Sequence, residues 1–246
     1  MERVDQEINR VLGEPWTELC RQNEGDVAKH TIVVLALVLA DPLMPTFTAE
    51  ERNMLKWASL LHDIAKLSTP AIRGKDHIHP FKSAKIVLDV FERYNFIPDL
   101  HRNHEQMKAS LDTIKRLVDE SVQPIRSRSI ESYVRNGLTL CTEKHSHHNL
   151  AEIFRNAWTV GVFPRGSFTD MVFRMVMFHQ SLLMLQKYPP MEELTREESD
   201  IYCEPEFLKL YGVLVVGDCC SYSIFNKREA VNKRAETLSN IDRLVQ

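Results

Sequence analysis

The chain has 246 residues and a mass of 28.6 kDa, a length that suits one large domain or two small ones. It is 43% hydrophobic and 26% charged, which is ordinary for a globular protein and argues against disorder. The net charge of −3 argues against a strongly basic nucleic-acid-binding protein. With only 8 glycines, a glycine-loop nucleotide fold or a turn-rich β-sandwich is also disfavoured.

The cysteines and the N-terminus favour a reducing compartment. The chain has five cysteines: Cys20, Cys141, Cys203, Cys219 and Cys220. This odd number, without a CxxC pair, argues against a disulfide framework or a zinc ribbon. The first residues do not resemble a secretory signal, and the longest apolar run, 31–40, is about half the length that spans a bilayer. We therefore expect a cytoplasmic protein without a membrane partner.

Apolar residues recur at helical spacing almost throughout, which predicts an all-α protein of about eight helices. The helical stretches are, in chain order, 3–20, 27–40, 48–67, 80–94, 98–120, 149–158, 167–188, 205–222 and 226–246. Asp26 is a candidate N-cap, and Thr48 with Glu51 three residues later forms a capping-box signature. Pro80 suits the first position of a helix. Asn149 and either Ser167 or Thr169 are further candidate caps.

Residues 121–148 are the least periodic part of the chain. We expect a single all-α domain over 1–246, with an insertion at about 121–165. The charged amphipathic stretch 226–246 either packs on the core or mediates a homodimer, and its apolar spacing favours core packing.

Ligand-type side chains fall on helix faces that should be core. His30 lies in the apolar stripe of the second predicted helix, and His62-Asp63 follow a similar stripe on the third. His179 and Asp218 are each surrounded by apolar residues on two late helices. A single buried histidine is more often a hydrogen-bonded core residue than a ligand, but four such helices in one chain form a pattern.

The carboxylates in this pattern favour a metal site. An ionised carboxylate in a core is very unfavourable without a partner, and Asp63 and Asp218 would both need one. One divalent cation shared with the histidines satisfies all of these groups. Helical bundles build such sites from facing helices. The mixed nitrogen and oxygen donors suit Mn, Fe, Co, Ni or Zn, and Mg less well, with one or two ions per chain.

These residues resemble the HD-domain superfamily of metal-dependent phosphohydrolases. The resemblance rests on His30, on residues 60–66 (Leu-Leu-His-Asp-Ile-Ala-Lys), on residues 79–84 (His-Pro-Phe-Lys-Ser-Ala) and on Asp218. The order His, His-Asp, Asp defines the family. The similarity covers residues 25–95 well and 170–222 loosely. It implies an all-helical metal-binding core over about 25–95 and 168–225.

The resemblance also implies the ligand set. The principal metal would be bound by His30, His62, Asp63 and Asp218. Members with a second metal use two further histidines. His79 fits the first place by its motif, whereas the second place is open between His179, by its order and apolar face, and His104, which is nearer to His79 in sequence.

Two departures from the family's sequence patterns disfavour particular activities. Lys66 stands where the branch that acts on deoxynucleoside monophosphates has a glutamate acid, which disfavours that branch. No signature of the cyclic-dinucleotide branch follows the histidines. Asp63 is expected to bridge two ions, and Lys66 to reach a phosphate oxygen, one turn away on the same helix. Arg73, Lys75 and Lys82 are weaker candidates for the same role.

The sequence thus favours a phosphomonoesterase or phosphodiesterase that acts on a nucleotide or another small phosphate ester through a metal-activated water. Two alternatives remain open. One is an HD-type di-iron oxygenase, which requires both additional histidines and redox-active iron. The other is a non-catalytic signalling or scaffold module with a structural metal.

Overall fold

The computed structural model describes residues 2–21, 26–66, 79–97, 104–122, 130–135, 138–143, 149–180, 194, 196–222 and 226–245. Its helices are α1 (Glu2–Leu12), α2 (Glu14–Arg21), α3 (Asp26–Leu39), α4 (Ala49–Leu61), α5 (His79–Arg93), α6 (His104–Val122), α7 (Leu150–Phe154), α8 (Phe168–Phe178), α9 (Arg196–Tyr202), α10 (Pro205–Ser221) and α11 (Lys227–Val245). The strands are β1 (Ile130–Arg135) and β2 (Leu138–Glu143). The predicted all-α class is confirmed, with one small hairpin added.

The hairpin lies inside the stretch predicted as an insertion. β1 pairs with β2 in antiparallel register, from Ile130 opposite Glu143 to Arg135 opposite Leu138. The sequence carried a signal for it that helical periodicity does not detect. Asn136-Gly137 is the dipeptide most favoured in two-residue hairpin connections, and it separates segments with β-branched and aromatic residues.

The prediction of one helix over 3–20 was wrong, because the chain breaks between α1 and α2. Gly13 adopts φ +69°, a left-handed conformation that ends a helix and that glycine adopts without strain. Pro15 follows within the first turn of α2, where its missing N–H is not needed.

The capping box of α4 is confirmed, whereas its predicted end is wrong. The Glu51 backbone N–H donates to Thr48 Oγ1 (3.1 Å), and the Thr48 N–H donates to Glu51 Oε2 (2.7 Å). The helix stops at Leu61 rather than near Leu67. Residues 62–65 form tight turns, in which the Ala65 N–H donates to the buried Ser83 Oγ on α5 (3.2 Å).

Two later helices differ in detail from the prediction. The predicted helical stretch 149–158 is present as α7, Leu150–Phe154, which continues as a π-helical turn, Arg155–Thr159. Asn149 does not cap it; its amide donates to the Leu117 carbonyl on α6 (3.2 Å). α8 begins after the Ser167 cap as expected but ends at Phe178, with His179 as its C-terminal cap. The predicted positions 67–78, 98–103 and 181–188 lie outside the described residues.

The core forms where α3, α4, α5, α8 and α10 pack against one another. α10 approaches α3 closely at Gly217, where a Cβ atom would lie 2.8 Å from Val38 Cγ2 and 3.4 Å from the Val34 carbonyl oxygen. The absent side chain thus lets these two helices meet. α11 packs on α10 and is bonded to the loop after α3 through Arg234 Nη1 and Asp41 Oδ2, 2.6 Å apart. None of the described helices has the length and hydropathy to cross a membrane.

A buried ionic network fixes α8 against the start of α10. The Arg174 side chain, fully buried, donates to Asp170 Oδ2 (2.6 Å), to Glu204 Oε1 (2.6 Å) and to the Tyr202 carbonyl (2.7 Å). Trp158 Nε1 donates to the other oxygen of Asp170 (2.7 Å). Each carboxylate and the guanidinium therefore has charged partners, which offsets the cost of burying them.

We expect Gly217→Ala to destabilise the protein by about 1–3 kcal/mol, because the new methyl group overlaps Val38. The double variant Gly217→Ala/Val38→Ala should lose less than the sum of the two single losses, since removing the valine methyls makes room. Chemical denaturation of all four proteins measures this coupling. Purely additive losses of unfolding free energy would show that the close packing of α10 on α3 does not depend on Gly217.

Candidate metal centre

Six ligand-type side chains from five parts of the fold meet at one place. They are His30 on α3, His62 and Asp63 directly after α4, His79 at the start of α5, His179 at the end of α8, and Asp218 on α10. Asp63, His62, His79 and His179 are essentially inaccessible, whereas the side chains of His30 and Asp218 keep 10% and 15% exposure. Both of these sit where a substrate could approach.

One set of ligand atoms comprises His30, His62 and Asp218, which offer atoms within 4.8 Å of one another. His30 Nε2 lies 3.0 Å and His62 Nε2 4.0 Å from Asp218 Oδ1. The two imidazole centroids are 5.6 Å apart. The imidazoles of His30 and His62 therefore converge on the same carboxylate.

A second set comprises Asp63, His79 and His179, again within 4.8 Å. Asp63 Oδ1 lies 2.8 Å from His79 Nε2 and 3.5 Å from His179 Nε2, and the two nitrogens are 3.0 Å apart. The other oxygen of Asp63 faces the first set, at 3.3 Å from His30 Nε2 and 3.6 Å from His62 Nε2. Asp63 thus presents one oxygen to each set.

Four of these buried atoms have no hydrogen-bond partner among the described residues: His30 Nε2, His62 Nε2, Asp63 Oδ1 and Asp218 Oδ1. Several of their contacts are short but lack hydrogen-bond geometry. Leaving buried polar atoms without partners costs about 1–3 kcal/mol each, and more for charged groups. Atoms of this donor chemistry, turned toward a common space, fit a divalent cation.

Backbone and hydroxyl groups orient the imidazoles. His62 Nδ1 donates to the Ser59 carbonyl (2.8 Å), and His179 Nδ1 donates to the Val176 carbonyl (2.7 Å). Each of these bonds leaves the lone pair on Nε2, which faces the centre.

Ser221 orients the imidazole of His30 and was not identified from the sequence. Its Oγ lies 3.0 Å from His30 Nδ1 and donates to the Asp218 backbone carbonyl (2.6 Å). The hydroxyl therefore accepts from His30 and ties two ligands of different helices together. Only its position three residues after Asp218 could have indicated this role.

The charge state of the site suits cation binding. Burial lowers the pKa of His62 to about 4 and also lowers the pKa of His79, so both imidazoles are neutral at pH 7. Burial acts to lower the pKa of His30 as well, but the carboxylates of Asp218 and Asp63 raise it to about 9. A proton on His30 thus partly balances the two acids when no cation is bound.

Lys66 lies inside this electrostatic environment rather than on a solvated surface. Its Nζ is 2.6 Å from Asp63 Oδ2, and its side chain is only 23% exposed. Burial alone would raise the pKa of Asp63, but Lys66 and the neighbouring histidines lower it well below the usual value. The carboxylate is therefore ionised, as a metal ligand must be.

The remaining predicted residues are placed less fully. His104 is the first residue of α6, and its side chain lies outside the described structure, so the geometry brings only its rival His179 to Asp63 and His79. Arg73 and Lys75 fall in 67–78, also outside it. Lys82 is half-buried on α5.

Comparison with known proteins found one match, to a family model. Residues 27–135 match the family model of the HD domain, which supports membership of the HD-domain superfamily. No curated protein and no solved structure matches the chain. The matched residues include His30, His62, Asp63 and His79, whereas His179 and Asp218 lie beyond them. The geometry of the fold is therefore what connects these last two residues to the HD motif.

Asp63→Ala should abolish metal binding, because Asp63 presents an oxygen to both ligand sets. Elemental analysis after dialysis against Mn²⁺ or Co²⁺ should find less than a tenth of the wild-type content, with unchanged helicity by circular dichroism. The matched control Asp119→Ala removes a half-exposed carboxylate that pairs with Lys85 on the surface. Full metal content in the Asp63 variant would contradict the assignment.

Ser221→Ala should weaken metal binding about 10–100-fold, because His30 loses the hydroxyl that fixes its ring. Isothermal titration with Mn²⁺ measures the change. Ser121→Ala is the control, since Ser121 is also buried on a helix and donates to a backbone carbonyl (2.9 Å) away from the site. Equal affinities in the two variants would remove Ser221 from the metal centre.

Proposed function

We propose that the protein is a metal-dependent phosphohydrolase that cleaves a small phosphate ester with water. The observation that carries this proposal is the convergence of His30, His62, Asp63 and Asp218, each with a buried ligand atom that lacks a hydrogen-bond partner in the described structure. HD-domain proteins are mostly metal-dependent phosphohydrolases, which supports the same reaction class.

Two adjacent ligand sets favour two cations per chain. His30, His62 and Asp218 would hold one, and His79 and His179 the other, with Asp63 between them. When bound, divalent cations lower the pKa of a coordinated water and polarise a phosphoryl oxygen. The nitrogen-rich donor set favours Mn, Fe, Co, Ni or Zn over Mg.

The protein's own residues supply positioning and charge. The backbone bonds from His62 and His179 fix their rings before a substrate arrives, so no reorganisation is needed. Lys66 holds its ammonium group beside Asp63 and keeps some exposure. This group can bind a phosphate oxygen and stabilise the negative charge that develops there.

The central test is turnover of generic esters. Protein loaded with Mn²⁺ or Co²⁺ should hydrolyse p-nitrophenyl phosphate or its bis ester, and Asp63→Ala should not. The preferred ester distinguishes a phosphomonoesterase from a phosphodiesterase. Bound metal without turnover of any phosphoester would favour a non-catalytic HD module instead.

Lys66→Met should lower kcat about 10²–10³-fold, the range found for removal of a donor to a developing oxyanion. Methionine keeps the length and apolar stem of the side chain but loses the charge. Lys56→Met is the control, because Lys56 is exposed on α4, on the same stretch of chain. Unchanged kcat with retained metal would show that Lys66 serves only to balance the charge of Asp63.

A di-iron oxygenase is the second candidate. It is favoured by one observation, namely that His79 and His179 join the other four ligands, since that chemistry needs the complete set of six. Purification without oxygen, followed by exposure to air, should produce a visible absorption band if the native metal is redox-active iron. A colourless protein with phosphoesterase activity would exclude this alternative.

A further inference from the structure

Tyr222 is an exposed aromatic side chain beside the metal centre. It directly follows Ser221 at the end of α10 and is 68% exposed. Of the large hydrophobic side chains described as exposed, it has the highest exposed fraction; Tyr94, by comparison, is 36% exposed. Exposed aromatic rings of this kind are commonly used for recognition.

The ring of Tyr222 is held by a metal-ligand histidine. It stacks on the His30 imidazole, with 4.7 Å between the ring centroids and 26° between the planes. His30 is itself fixed by Ser221. One face of the ring meets His30, and the residue as a whole is mostly exposed. A flat surface is thus preorganised next to the site, which lowers the entropic cost of binding.

Lys66 completes this arrangement. Burial raises the pKa of Tyr222 to about 12, and the ammonium group of Lys66 acts to lower it; the same ammonium group contacts Asp63 (2.6 Å). A cation for a phosphate contacts one residue of the candidate centre, and an aromatic ring for a planar group contacts another. The combination is suited to an anionic ester that carries a flat ring.

We propose that Tyr222 selects substrates whose leaving group contains a planar aromatic ring, which stacks on its phenol ring. This inference rests on the proposed phosphohydrolase function and narrows its substrate class. Nucleoside monophosphates and aryl phosphates share the required chemistry, whereas aliphatic phosphates lack it. Aromatic stacking of bases is tolerant of base identity, so purines and pyrimidines should both bind.

The test compares ring-bearing and aliphatic ligands. Isothermal titration of the Mn²⁺-loaded protein should use non-hydrolysable phosphonate analogues of adenosine monophosphate, cytidine monophosphate and glycerol phosphate. Tyr222→Leu should weaken binding of both nucleotide analogues about 5- to 100-fold and leave binding of the glycerol analogue unchanged. Tyr222→Phe should bind like the wild type, because the ring and not the hydroxyl stacks. Tyr94→Leu controls for loss of a partly exposed tyrosine elsewhere.

Two results would overturn the inference: equal wild-type affinity for the ring-bearing and glycerol analogues, or equal weakening of both in Tyr222→Leu. The second would mean that Tyr222 only braces His30, and metal content measured on each variant would report this directly. Measurements of turnover distinguish failure of this inference from failure of the hydrolase proposal. Hydrolysis of β-glycerophosphate without any preference for rings keeps the hydrolase and removes the role of Tyr222. Ring-dependent binding without hydrolysis of any ester would contradict the hydrolase proposal and keep the role of Tyr222 in binding.

Discussion

The structure depends on how two buried carboxylates are compensated. Asp63 is fully inaccessible and Asp218 is nearly so, and both lie among imidazoles rather than among solvent or arginines. Lys66 satisfies one oxygen of Asp63, but inward-facing oxygens of both acids have no hydrogen-bond partner among the described residues, although they lie close to imidazole nitrogens. Such burial is tolerated only where another charge completes the cluster. Helix packing, hydrogen bonding and the proposed chemistry all serve this requirement.

Helix ends and one close contact between two helices bring the charged side chains of this cluster together. His62, His79 and His179 lie at the ends or starts of α4, α5 and α8, where the chain changes direction and several helices can converge. Asp218 and His30, by contrast, lie within helices that approach closely because Gly217 lacks a side chain. The Arg174 network then fixes α8, away from the centre, so that His179 keeps its position.

The sequence identified the side chains that converge at the candidate metal centre better than it predicted the helix boundaries. Polar side chains on apolar faces identified His30, Asp218 and the His62-Asp63 pair, because burial of such groups is rare without a function. The break at Gly13 and the end of α8 at Phe178 were missed, because apolar spacing continues where the backbone turns. The roles of Ser221 and Tyr222 depend on contacts with His30, 191 residues away in the case of Ser221, and no local pattern encodes such contacts.

The shared position of Asp63 makes the two halves of the centre thermodynamically dependent. The Asp63 carboxylate cannot change its charge or its orientation toward His30 without also changing the charge and position of the oxygen that faces His79. A cation bound in one half would therefore alter the free energy of binding a cation in the other, and by linkage the effect would be equal in both directions. The first cation would order Asp63 for the second and would also repel the second cation. Two cations bound here would thus fill the halves stepwise, with unequal affinities.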